Sequence, residues 1–574
     1  MTGMGRMLVV FALLTAGHLS FGVRVELSGS QTEAKLETRL IPSRTSQVNS
    51  VEVELTVPAI EIVRDEAGFD ALTVSKLSPS PLLGNPEVLV TGALVAVPAG
   101  HEPELEIAQV EHKTLENVRV RPAQQEWRCG GPKGSFTFNS GLYQSSSLYP
   151  AHWAQLEDVG SLGGVRLVRL ALQPVRMHMN QNQLLVATRL QARIQFRKTN
   201  RSAVPQSVAP GILENIQAST VNGKSLSAWI RSATRGDRML IVAADTLKDA
   251  LAPYVAWKRQ QGLQVDVVTL TEAGGNKEAM QKYLRTAYET TPVKPTYLLF
   301  VGNKDTLPAF KESTGSGSAA SDYRMTLLAG DDAIPDVFYG RFLADSVEEL
   351  NTQIQRTIAY EKDSGAHSWR RQGMTIASDE GSGPSDEEYA GQVQEALKAG
   401  TYSSVDSFFQ GEKTATAANI LEALKAGRSW ISYFGHGSGT SWGSVNDKFS
   451  VSTVAEVENS GKLPVLIDVA CLNASWMNIL KCFGKAWMTQ SNAQGPTGAV
   501  AYYGGSVSIS WHPPAVMSVG IAKRHFENSV RTVGSSVMAG QLYLLEQMGT
   551  SSATTDNLKW YNLFGDPSLV VKSE

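Results

Sequence analysis

Four short runs beyond residue 238 of this 574-residue chain are apolar almost from end to end: Leu240-Ile-Val-Ala-Ala244, Tyr297-Leu-Leu-Phe-Val-Gly302, residues 430–434 and residues 464–469. Between them lie stretches with apolar residues at helical spacing. The first, residues 246–261, is ended by Gly262 and followed by another strand at 265–270. A strand without polar alternation is covered on both faces. Strands of that kind alternating with helices imply a parallel sheet between helical layers. Residues 238–574 are therefore expected to form one α/β domain, with the Gly/Ser-rich residues 315–321 as a flexible loop inside it.

The first part of the chain has a different rhythm. Val51-Glu-Val-Glu-Leu-Thr-Val57, Arg166-Leu-Val-Arg-Leu-Ala-Leu172 and residues 185–196 alternate apolar and polar positions. Period-two alternation fits half-buried strands of an antiparallel sandwich or barrel, so residues 23–205 are read as a mainly β domain. Residues 206–237 are more polar and end in Arg231, Arg235 and Arg238. They read as an interdomain connection open to proteolysis. Two domains agree with the length, which exceeds what one core usually holds.

The N-terminus looks like an address. Arg6 precedes an apolar stretch at residues 7–16, and the small residues Ser20 and Gly22 follow. The stretch is too short to span a bilayer, which favours a signal peptide over residues 1–22; a buried N-terminal strand or helix is the alternative. No later segment is apolar for long enough to make a transmembrane helix. A net charge of −3 and the lack of a basic run give no case for nucleic acid. HExxH and Cys-x-x-Cys pairs are missing, which argues against zinc. Three cysteines, Cys129, Cys471 and Cys482, are too few for a disulfide scaffold. Spacing alone would allow a Cys471–Cys482 bridge.

Two of the apolar runs end in reactive residues. Trp430-Ile-Ser-Tyr-Phe-Gly leads into His436, and Pro464-Val-Leu-Ile-Asp-Val-Ala leads into Cys471. Functional groups of open parallel sheets collect at the carboxyl ends of strands. If these strands are neighbours, His436 and Cys471 meet at one edge, where an imidazolium would lower the thiol's pKa and favour the nucleophilic thiolate. Gly437 lets backbone approach a substrate closely, and its N–H with that of Cys471 is a candidate oxyanion hole. Taken singly, a Cys after an apolar run is usually a small buried hydrophobe, and a His-Gly is often a turn.

The segments Gly435-His-Gly-Ser-Gly-Thr-Ser-Trp-Gly443 and Ile467-Asp-Val-Ala-Cys-Leu-Asn-Ala474 together resemble the histidine and cysteine motifs of gingipains, exported cysteine peptidases with a caspase-like α/β core. The likeness continues through residues 297–302, Val337-Phe-Tyr-Gly-Arg-Phe342, Cys482-Phe-Gly-Lys-Ala486 and Phe564-Gly-Asp-Pro-Ser-Leu569, so that it covers nearly all of 238–572 in order. It implies a caspase-like catalytic domain preceded by a β-rich propeptide that serves as its inhibitor, and protein or peptide substrates. His436 takes the place of the general base and Cys471 that of the nucleophile. Glu380, or its neighbour Asp379, takes that of the carboxylate orienting the histidine. Asp386 resembles the acid of an arginine pocket and Trp511 its wall, with Ala515 where an arginine-specific relative has methionine. Arginine is then the expected residue before the cleaved bond and lysine the second choice. Arg231, Arg235 or Arg238 would be the chain's own maturation site.

The family also binds structural calcium; Asp331, Asp332 and Asp336 offer suitable oxygens, but no sequence signature places such a site. Gingipains continue into an immunoglobulin-like module and an export signal, whereas this sequence ends at Glu574. Export by an ordinary signal peptide, to the periplasm or outside, is the corresponding expectation. Other readings fit less well. Ser438 lacks the glycines of a nucleophile elbow, and no G-x-G-x-x-G follows an early strand. A non-catalytic caspase-like module, or a transpeptidase using the same thiol, would share the fold.

Overall fold

The structure is a computed structural model that describes residues 8–573 apart from 16–17, 29–32, 42–49, 125–134, 200–206, 229, 233–235, 315–316, 382–383 and 529. Its centre is a ten-stranded sheet, ordered Gln264–Thr269, Arg238–Ala243, Tyr297–Val301, Phe338–Phe342, Tyr561–Phe564, Ala501–Gly505, Val465–Val469, Trp430–Phe434, Gln372–Ala377 and Ser404–Phe409. The runs without polar alternation are the central strands, and every residue of Tyr297–Val301, Trp430–Phe434 and Val465–Val469 is buried. Helices cover both faces, as such strands require.

The sheet departs from all-parallel at one place. Its first five strands run parallel to one another, and so do its last five. The halves meet antiparallel where Tyr561–Phe564 pairs with Ala501–Gly505. Their carboxyl ends therefore open on opposite edges, and only the second half brings strand ends to His436 and Cys471. The sequence could not show this, because strand direction leaves no trace in a uniformly apolar run. The Gly/Ser-rich residues also differ from expectation: Gly317–Ser321 pairs antiparallel with Phe310–Thr314.

The N-terminal region is β-rich, as its alternation requires. Leu89–Ala96, Ala154–Leu162 and Val165–Leu172 form one antiparallel sheet with Ser78–Pro79. The long strands His101–Leu115 and Gln183–Lys198 dominate a second. Leu8–Thr15, inside the expected signal peptide, pairs with His18–Glu26, which in turn pairs with Ala59–Arg64.

The polar connection is more ordered than its composition suggests. Pro210–Ser219 is a helix with Ile212, Asn215 and Ile216 buried, and Asn215 Nδ2 donates to Ser535 O at 2.6 Å. Arg231–Ser232 pairs parallel with Ser207–Val208. Arg238 is the first residue of a central strand and binds Asp266, with Nε 2.7 Å from Oδ2, and Val293 O. A protease needs several residues of extended, accessible backbone, so Arg238 is corrected from a maturation site to a structural residue. Arg235 and Cys129 lie outside the described residues.

Candidate active site

Trp430–Phe434 and Val465–Val469 are adjacent parallel strands, with Phe434 opposite Val469. Each continues only briefly before its reactive residue, so His436 and Cys471 reach the same edge and line the same cavity. The turn after Cys471 is strained: Leu472 has φ +65°, a left-handed conformation unfavourable for a branched side chain. Leu472 N–H is held by Val507 O at 2.9 Å. Asn473, the next residue, is anchored at both ends of its amide. Its Nδ2 donates to Asp468 at 3.0 Å, while its Oδ1 accepts Gly439 N–H at 3.0 Å. Asp468 also accepts from Trp442 Nε1 at 3.0 Å and from the Tyr502 hydroxyl. Full burial pushes this carboxyl up to about 6 despite those donors. A single buried polar network thus ties the cysteine turn to the histidine loop.

The histidine loop is fixed from its backbone. His436 N–H donates to Ser444 Oγ at 3.0 Å, and Tyr433 Oη donates to His436 O at 2.8 Å. Gly437 faces Trp442 in a bridge whose two hydrogen bonds come from Ser438 and Gly443, so the Gly437 N–H lies outside that ladder. Glycine is required here, since a Cβ would lie 2.2 Å from Cys471 O. That approach puts the backbones of Gly437 and Cys471 together, as an oxyanion hole shared between them needs.

On the imidazole, Nε2 lies 2.9 Å from Glu380 Oε2. Glu380, not Asp379, makes this contact. Both partners are partly open, with side chains 27% and 46% exposed, so solvent weakens the pair and its main effect is to orient the ring. The edge of Trp511 stands beside His436, with ring centroids 6.1 Å apart.

Asp386 is the buried end of the cavity. It opens the helix Asp386–Ala399, follows the N-cap Ser385, and is 3% exposed. Ser378 Oγ donates to its Oδ2 at 2.6 Å and accepts Glu380 N–H at 3.2 Å, while Asp386 N–H donates to Glu380 O at 3.1 Å. Ser378 therefore joins the cavity's floor to the residue that orients the histidine. Burial, with the nearby Glu380 charge adding to it, pushes Asp386 up to about 7. Trp511 forms a wall, but Ala515 is buried in the helix His512–Phe526 and is not among the lining residues. Tyr389 Oη and His512 Nδ1, 2.9 Å apart, tie the two helices bearing these walls.

Ser378 lies in no motif, and Asp468 and Asn473 lie within the cysteine motif without anything there that marks their roles. The one visible signal is Asp468, a carboxylate inside an apolar strand. Cys482 is a free, fully buried thiol whose pKa burial pushes up to about 12, so no bridge joins it to Cys471. The calcium expectation finds no support among the described residues, where no group of three or more His, Cys, Asp or Glu is placed to hold a metal. Asp332 accepts the N–H groups of Ile334 and Ser161, and Asp336 those of Leu328 and Ala329, so both are committed to backbone. No step is derived through calcium.

Residues 232–572 match the model of peptidase family C25, and residues 30–224 match that of the C25 propeptide. The chain belongs to peptidase family C25. The propeptide match extends past residue 205 to take in the helix Pro210–Ser219. Gingipain R1 of Porphyromonas gingivalis is 26% identical over 85% of this chain, which spans 50% of that protein's length. Lys-gingipain HG66 of the same organism is 24% identical over 98% of the chain and 34% of its own length. The crystal structure of the Arg-specific cysteine proteinase gingipain R is similar at 30% identity with a TM-score of 0.55, over 60% of this chain and 80% of that one.

Proposed function

We propose that this C25 chain is a cysteine endopeptidase, made as a zymogen and exported, that cleaves peptide bonds after arginine, with lysine as second choice. The observation that carries this reading is one cavity lined by Cys471, His436, Trp511 and the buried Asp386, with Glu380 on the far side of the imidazole. With Nε2 directed to Glu380, Nδ1 is the nitrogen that exchanges a proton with the thiol. The Cys471 thiolate attacks the substrate carbonyl carbon, and the N–H groups of Gly437 and Cys471 receive the oxyanion. The imidazolium gives its proton to the leaving amine as the C–N bond breaks. His436 then takes a proton from water, which hydrolyses the thioester and frees the thiol.

Specificity rests on Asp386. A buried carboxylate suits a guanidinium fork better than an ammonium. Residues 23–224 act as the inhibitor, and cutting between 224 and 235, with Arg231 the best-placed described residue, begins activation. Residues 1–22 direct export and are removed with it; no described helix is long and apolar enough to cross a membrane.

The test is a fluorogenic peptide panel varying only the residue before the scissile bond, run with reductant on protein cut in the connection and separated from its β-rich piece. Cleavage after arginine, weaker after lysine and absent in Cys471→Ala, is expected. Cleavage after uncharged residues would remove the Asp386 assignment, and full activity in Cys471→Ala would remove the mechanism.

A further inference from the structure

The β-rich domain grips the peptidase domain through a contact that the catalytic reading does not use. Arg169, in the middle of Val165–Leu172, is buried. Its guanidinium leaves its own domain: Nε donates to Glu546 O at 2.6 Å and Nη2 to Gln547 O at 2.8 Å. Those carbonyls belong to the last turn of the helix Val533–Met548, where acceptors lack partners within the helix and the dipole is negative. A flat guanidinium fork answers both needs at once. Glu157 holds it from behind, with Nη1 donating to Oε2 at 2.8 Å, and Thr91 Oγ1 donates to Gln547 Oε1 at 2.8 Å. The backbones are equally close, since a Cβ on Gly92 would stand 2.4 Å from Glu546 O.

We propose that the C-terminal end of the helix Val533–Met548 is a guanidinium-binding site, filled by Arg169, that keeps the β-rich domain seated after the connection is cut. The inference rests on the reading that the connection is cut during activation. Neither Glu546 nor Gln547 lines the active-site cavity. Cutting the connection then leaves a bound inhibitor, and activity appears only as Arg169 withdraws from the helix end. A soluble guanidinium compound competes with it.

The experiment uses the full chain carrying Cys471→Ala, cut within residues 225–235 by limited trypsin, with association of the two pieces followed by sedimentation. The parent pieces should stay together. Arg169→Ala should weaken them about 30-fold or more, as loss of a buried hydrogen-bonded charge does. Arg169→Lys, which keeps the charge and loses the fork, should fall between. Methylguanidinium should separate the parent pieces at an ionic strength at which sodium chloride does not. Arg197→Ala, an exposed residue paired with Glu104 in the same domain, should change nothing. Should Arg169→Ala fail to fold, Gly92→Ala decides by the same readout. Parent pieces that part on cutting, or variants that associate as tightly as the parent, would overturn the proposal. Because association is read rather than turnover, either result leaves the peptidase reading standing.

Discussion

Asp386 shows how one side chain couples stability to specificity. Its carboxyl is buried, and its pKa is raised to about 7, against about 3.9 for an unperturbed Asp. A raised folded-state pKa favours folding while the group is protonated. That stability is complete below about pH 4 and is lost as pH rises toward 7. Asp386→Asn, which can still accept from Ser378, should therefore raise the melting temperature at pH 8 and leave it nearly unchanged at pH 4. The same substitution should raise KM for arginyl peptides at least tenfold at pH 8, since the guanidinium needs a charged partner. In the unsubstituted protein, KM for such peptides should climb as pH falls below 7. A KM indifferent to both changes would show that the arginine is held elsewhere. Glu380→Gln should lower kcat by about 10²-fold while leaving KM alone, the mark of a group acting through the histidine.

Among the elements, the helix Asp386–Ala399 matters most to the site, because its first residue is the pocket floor. Ser385 and Glu388 close its N-terminus as a capping box. Ser385→Ala should cost about 1 kcal/mol in stability, measured by denaturant unfolding, and should raise KM more than it lowers kcat. Much of this level was legible in the sequence. The strands ending at His436 and Cys471 were visible because continuous apolar runs are long and bounded, and Gly437 because it directly follows the histidine. What escaped depends on partners far apart in sequence. Ser378 meets Asp386 only because a turn folds back after Gln372–Ala377, and Asn473 meets Gly439 only across neighbouring strands. The pairing of Gly317–Ser321 was hidden for a different reason, since small polar residues signal a loop unless a partner strand is known.

Across the whole molecule, the two halves of the central sheet point their strand ends to opposite edges, and one of them carries the cavity. The β-rich domain meets the peptidase domain through Arg169 and through Asp332, which accepts the Ser161 N–H at 2.9 Å. Asp332 thus serves the contact between domains, a role its acidic loop did not suggest. Arg238, at the start of a central strand, is unsuited to cleavage, so the mature chain should begin within residues 225–236. N-terminal sequencing of the processed protein checks this, and a start beyond Arg238 would contradict it.

The central claim, that Cys471 is the nucleophile of an arginine-directed peptidase, is tested most directly by a peptidyl-arginine chloromethyl ketone. The protein is cut in the connection, freed of trypsin and of its β-rich piece, treated with the reagent and mapped by mass spectrometry. One adduct on Cys471, missing in Cys471→Ala and slowed in Asp386→Asn, is the predicted result. An adduct on Cys482 with Cys471 untouched, or no adduct on the separated peptidase piece, would contradict it.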